Sequence, residues 1–116
     1  MKDDREESKR ALQRMRDAIA RVHRHVKGFD SVRFIRDEKT SDAVLMLLAA
    51  IGEEVQRIDP AILDRHPYPW HLVRAQRNVI AHDYFGIRLP SIWANIQQDL
   101  GPLDDLLRRI LETEFP

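Results

Sequence analysis

An all-α fold, an antiparallel bundle of four to five helices, is what this sequence predicts, and three observations predict it. Apolar residues recur at three- and four-residue spacing along most of the chain. Strand-like alternation is essentially absent. Gly28, Asp59-Pro60 and Pro90-Ser91 fall between these apolar stripes, where helices end or begin. The 116 residues suit one domain, 1–116, with a real core but little apolar surface to spare. No internal repeat, low-complexity segment or dividing linker is present.

The first helix opens at Asp3 and Asp4, either of which can cap it, and carries Leu12, Met15, Ile19, Val22 and Val26 at helical spacing. Gly28 is its expected stop, with Lys27 near the negative end of the helix dipole. Arg14, Arg16, Arg21 and Arg24 decorate this helix as a solvated face, and an RNA-contacting patch is the sharper alternative. His23 and His25, two apart, point to different sides and make a poor metal pair. Ser31 to Arg36 reads as a short helical turn carrying Val32, Phe34 and Ile35. The next long helix starts near Asp37 or Thr40 and runs to about Ile58, with Val44, Leu47, Leu48, Ile51 and Val55 as its apolar stripe. Gly52 interrupts that stripe at a cost of about 1 kcal/mol relative to alanine, which points to a helix packed closely there.

Asp59-Pro60 ends the second long helix, Ala61 to Arg65 adds a turn, and His66 to Trp70 (HPYPW) forms a stiff connector. A central helix follows from Trp70 and frays by Phe85-Gly86. Pro90-Ser91 opens the last helix, with Ile92, Trp93, Ile96 and Leu100 inward. Gly101-Pro102 should kink or break it before Leu103, Leu106, Leu107, Ile110 and Leu111 resume the stripe.

Lys plus Arg and Asp plus Glu are both 19, so no global field draws in a polyanion and any RNA site must be a local patch. Cysteine is absent, which excludes disulfides, thiolate catalysis and cysteine-based zinc sites. The first ten residues, MKDDREESKR, lack the apolar core of a signal peptide, and the longest apolar run, Ala43 to Ile51, is too short to span a bilayer. A cytoplasmic protein without a membrane partner is the expectation.

The chemistry concentrates in WHLVRAQRNVIAHDYFGI, residues 70–87. Arg77, Asn78, His82 and Tyr84 place a guanidinium, an imidazole and a phenol within eight residues, a set suited to a phosphodiester. At about 100° per residue, Tyr84 and Arg77 fall roughly 20° apart, and Arg74, Ala81, Asn78 and His82 fan out beyond them. Leu72, Val73, Val79 and Ile80 point the other way, towards a core. Gln76 and Asp83 share that apolar side, and the helical wheel offers no reason for it. Arg77 and His82 are separated by roughly 140°, so one protomer does not stack them. Either Arg77 reaches round, or two copies of the helix meet across a dimer and pool their groups. The second is favoured, because one imidazole cannot easily serve as both base and acid.

These residues name a family. Arg77-x4-His82-x-Tyr84 resembles the Arg-x4-His-x-Tyr motif of HepT-like proteins, a branch of the HEPN superfamily. Gly52-Glu53-Glu54 resembles the family's Gly-Glu-Ala in the preceding helix, and Pro69-Trp70 stands at the entry to its catalytic helix. RNVIAHDYFGI, then Ile92-Trp93, Asp99-Leu100 and Pro102-Leu103, extend the likeness over roughly Asp42 to Leu107. Glu54 departs from the usual small alanine, which can alter packing around Gly52 or add charge near a cleft.

That resemblance implies the toxin of a type VII (HEPN/MNT) toxin–antitoxin system. Such a toxin is a homodimeric, metal-independent endoribonuclease without a cofactor, its motifs lining a cleft between subunits. The implied partner is a minimal nucleotidyltransferase (MNT-type) antitoxin that silences the toxin by adding AMP to the motif tyrosine, here Tyr84.

In such a reaction His82 is the base or acid, since imidazole titrates near neutral pH and positioned proton transfer is worth about 10²–10⁴ in rate. Arg77 would hold the non-bridging oxygens and the charge that develops on them; its bland alternative is a salt bridge to Glu53 or Glu54. Asn78 either fixes the His82 tautomer or binds phosphate, Arg74 is a second-rank phosphate contact, and Tyr84 bonds the phosphate or caps the bundle. Trp70, Trp93 and Phe85 are expected in the core rather than as stacking platforms. A non-catalytic module that binds only a nucleotidyltransferase is the runner-up. A metal-dependent hydrolase is disfavoured, because no Glu-x-x-His or His-x3-His spacing appears.

Overall fold

The computed structural model describes residues 4–116; Asp3, one of the two expected caps of the first helix, lies outside the described residues. Helix α1 runs over Asp4–Val26 and α2 over Ser31–Arg36. Helix α3 spans Glu38–Val55 and α4 Pro60–Arg65. Helix α5 spans Trp70–His82 and leads into a single 3-10 turn at Tyr84–Gly86. Helices α6 (Leu89–Gln98) and α7 (Leu100–Glu114) complete an architecture without strands among the described residues.

The boundaries follow from local chemistry. Gly28 takes φ +79, the left-handed conformation that closes α1 and that only glycine adopts at no steric cost. Aspartates open the next three helices by accepting backbone N–H bonds. Asp30 accepts from Arg33 (2.8 Å), Asp37 from Thr40 (3.0 Å) and Asp59 from Ala61 (3.0 Å). Pro60 sits in the first turn of α4, where its missing donor is not needed. Helix α3 stops at Val55, three residues before the expected end, yet Ile58 in the following turn is still buried. The expected break at Gly101-Pro102 falls earlier, at Asp99. Pro102 therefore lies in the first turn of α7, where a proline is tolerated.

Helix α3 is the centre of the bundle, packed between α1 and α5, while α1 also packs on α7 and α6 joins α7 to α2. Leu12, Met15, Val22, Phe34, Val44, Leu48, Leu107 and Ile110 are fully buried in one continuous core. Each contributes on the order of 1.5–3 kcal/mol relative to exposure. Polar ties lock the helices in register. Ser8, itself buried, accepts the Asp59 N–H (2.9 Å), and Arg16 grips Asp104 of α7 through two bonds of 2.9 and 3.2 Å. Arg14 pairs with Glu54 at 3.7 Å and Arg21 with Asp17 at 3.0 Å, so Arg14, Arg16 and Arg21 are each held by a carboxylate of this chain.

The C-terminal end of α7 is clamped to the connector that feeds α5. Glu114, 9% exposed at its side chain, accepts from Nε and Nη2 of Arg65 (3.0 and 2.6 Å) and lies 2.9 Å from His66 Nε2. Hydrogen bonding from Arg65, then His66, lowers its pKa from 4.5 to about 2. The Trp70 indole donates to the His66 carbonyl (3.1 Å) and packs at a tilt against the Tyr68 ring (centroids 5.1 Å apart), fixing where α5 begins.

Candidate active site

Helix α5 has one deep contact, with α3, and that contact is set by Gly52. A Cβ at Gly52 would stand 2.6 Å from the Val73 carbonyl oxygen and 2.9 Å from Arg77 Cβ, so only a glycine lets the two backbones approach this closely. Asp42, near the start of α3, meets Tyr84 at the far end of α5, so the helices run antiparallel. Arg77 is thereby pinned against α3. Its Nε lies 3.1 Å from Glu53 and its Nη1 donates to Asn78 Oδ1 at 3.2 Å. Two of the five guanidinium donors are engaged, and the rest can still take phosphate oxygens. Glu54, the departure from the family pattern, turns instead to Arg57 (3.1 Å) and Arg14. It leaves Arg77 to Glu53. Its Oε2 has no hydrogen-bond partner, and Arg14 at 3.7 Å supplies attraction only.

On the other shoulder of α5, Arg74, Asn78 and His82 follow at four-residue intervals and all three are exposed. His82 is the last residue of the helix. Arg77 thus faces α3 while His82 faces solvent, the separation the helical step requires. The structure corrects three expectations here. Leu72 and Val79 do not point into a core: they are 59% and 56% exposed, because α3 covers only one side of α5. Phe85 is not a core residue but is 100% exposed. Tyr84 does not continue the helical arc, since Asp83 breaks the helix with φ −143 and its N–H closes the last turn on the Val79 carbonyl (2.9 Å). Trp70 and Trp93 do pack in or against the core. Asp83 is exposed beyond the helix end. Gln76 is half-buried and lines a groove of about 330 Å³ with Leu72, Val73, Asn95 and Asp99.

The 3-10 turn carries Tyr84 past the end of α5 to the start of α3, where its hydroxyl donates to Asp42. This bond, then partial burial, pushes the phenol pKa above its ordinary value. Asp42 went unnoticed in the sequence as a site residue, for the pairing spans 42 positions and carries no local signal. Among the described residues no group of three or more His, Asp or Glu is placed to hold a metal ion. No helix among them is long and apolar enough to cross a membrane.

Comparison with known proteins bears directly on this arrangement. A "putative RNase" of Caldanaerobacter subterraneus subsp. tengcongensis is 29% identical over 90 residues, 77% of this chain and 80% of that protein. A "probable ribonuclease HepT" of Thermococcus cleftensis is 28% identical over 93 residues, 79% of this chain and 84% of the other. A "putative RNase" of Methanocaldococcus jannaschii is 29% identical over 82 residues, 66% of this chain and 68% of its own length. No solved structure gives a significant match. The family described as "Ribonuclease HepT-like" matches residues 15–110, a span that holds Gly52, Arg77, His82 and Tyr84. By that match the chain belongs to the HepT-like family.

Proposed function

We propose that this chain is a metal-independent endoribonuclease, the toxin of a type VII (HEPN/MNT) pair, acting on cytoplasmic RNA as a homodimer of one domain per chain. The observation that carries the reading is the split face of α5. Arg77 is held beside α3, Arg74, Asn78 and His82 form an exposed polar row, and exposed Leu72 and Val79 border it. Apolar side chains left open beside a polar row are what a subunit interface covers. Pairing α5 with a second copy would bring the Arg77 of each chain towards the His82 of the other.

Across such a cleft the ribose O2′ attacks phosphorus and the P–O5′ bond breaks. One imidazole takes the O2′ proton, the other, protonated, gives one to O5′, and the products are a 2′,3′-cyclic phosphate and a 5′-hydroxyl. Arg77 meets the charge that builds on the non-bridging oxygens. Tyr84, exposed at the rim, is the group to which a nucleotidyltransferase antitoxin would add AMP, placing bulk and negative charge where RNA must pass.

The test is cleavage of RNA by purified, unmodified protein in the presence of EDTA, with His82→Ala alongside. Cutting that resists the chelator and vanishes in the variant is expected. Cutting no faster than His82→Ala would overturn the enzyme and leave a module that only binds its partner.

A further inference from the structure

Next to the polar row, the α2–α3 corner and the turn after α5 enclose a groove of about 330 Å³, lined among others by Ile35, Arg36, Asp42, Tyr84, Phe85 and Ile87. Resting on the ribonuclease reading of the adjacent site, we propose that this groove is a nucleobase subsite and that the base it takes is guanine.

Four observations point to a base. The groove's volume lies at the lower end of the range of small-ligand sites, about 300–1,000 Å³. Phe85 is fully exposed on its rim, set edge-on to Tyr84 (centroids 5.5 Å apart, planes at 85°), so a ring face is free for stacking. Ile35 and Ile87 supply an apolar wall. The groove also carries two carboxylates, Glu38 and Asp42, against the single guanidinium of Arg36, so a phosphodiester backbone is repelled from it. The backbone belongs with Arg74 and Arg77 on α5, and what enters the groove must bring donors.

Asp42 selects among the bases. Its Oδ1 is oriented by the Tyr84 hydroxyl, which leaves Oδ2 and the remaining lone pairs of Oδ1 to accept. Guanine alone presents two adjacent donors, N1–H and N2–H, to match a carboxylate. Adenine and cytosine set an amine beside an acceptor that would oppose the second oxygen, and uracil offers one donor between two carbonyls. Because Tyr84 stands two residues past His82, a guanine held here would belong to a nucleotide close to the scissile phosphate.

The experiment titrates the full chain with GMP, IMP, AMP, CMP and UMP, followed by NMR chemical-shift changes, and maps RNA cut sites in parallel. GMP should bind most tightly, and Phe85→Ala should weaken it on the order of tenfold, with Phe85→Trp restoring it. Asp42→Asn should abolish the preference for GMP over IMP, which lacks the N2 amine. Equal binding of all five nucleotides, or a Phe85→Ala chain unchanged towards GMP, overturns the subsite. So does a Phe85→Ala chain that merely dissociates into monomers with GMP affinity intact, since Phe85 is then a subunit contact. RNA cleavage without any GMP preference refutes the subsite and spares the nuclease. GMP held in the groove by a protein that cuts no RNA does the reverse.

Discussion

Replacing Gly52 with alanine tests the contact on which the site depends. Two effects of opposite sign compete. Alanine in a helix interior gains about 1 kcal/mol over glycine. The new Cβ, however, would stand 2.6 Å from the Val73 carbonyl oxygen and 3.3 Å from the Arg77 nitrogen, both backbone atoms that cannot rotate away. Overpacking of this kind costs about 1–3 kcal/mol or more, and a clash with main chain belongs at the upper end. The net expectation is a loss of about 1–2 kcal/mol, a fall in Tm of roughly 5–10 °C for a chain of this size. Relief of the clash must push α5 off α3 at Arg77. A misplacement on the order of 1 Å can cost about 10²-fold in rate, so activity should fall further than stability does. Thermal melts by circular dichroism give the first number and RNA cleavage well below Tm gives the second. Gly101→Ala is the control: a Cβ there meets nothing within 4 Å, so this variant should melt no lower than the parent. A Gly52→Ala protein that melts at or above the parent would refute the reasoning.

Arg77→Ala and His82→Ala should each lower cleavage by about 10²–10⁴ while leaving stability within about 1 kcal/mol of the parent, because neither side chain is part of the core. Tyr84→Phe should retain the fold, and co-expression with a nucleotidyltransferase partner should then leave its intact mass unchanged where the parent gains AMP increments. Glu114 has its folded pKa depressed from 4.5 to about 2, so its ion pair stabilises fully above pH 4.5 and is lost as pH falls towards 2. Glu114→Gln should lower Tm at neutral pH and flatten the acid limb of a pH–Tm curve over that window.

The helices were legible in the sequence wherever a local signal decided them. The Leu12–Met15–Ile19–Val22 stripe is buried as its spacing requires, Gly28 closes α1, and the glycine inside α3 does mark a close approach. Apolar residues on a helix do not all face inward. Leu72 and Val79 obey the helical period, but α5 lies at the edge of the bundle with α3 on one side only, and a single sequence does not reveal which helices are edges. The end of α5 was misplaced for a related reason. Tyr84 leaves the helix to meet Asp42, and Phe85 goes with it into solvent. Spacing and resemblance single out Arg77, His82, Asn78 and Tyr84 as candidates, whereas Asp42, which accepts from Tyr84, lies on another helix and carries no local signal. Of the two carboxylates expected as alternatives for Arg77, Glu53 and Glu54, the structure pairs it with Glu53, which positions the guanidinium without using up its donors.

The bare flank of α5 has a consequence for dosage. On the reading proposed above, one copy has its cation and its imidazole turned apart, and only association lets them share a phosphate. At low copy number the working species would then grow with the square of chain concentration. A leaky transcript would stay harmless and a burst of synthesis would not, so the threshold for damage would be written into an uncovered strip of leucine and valine.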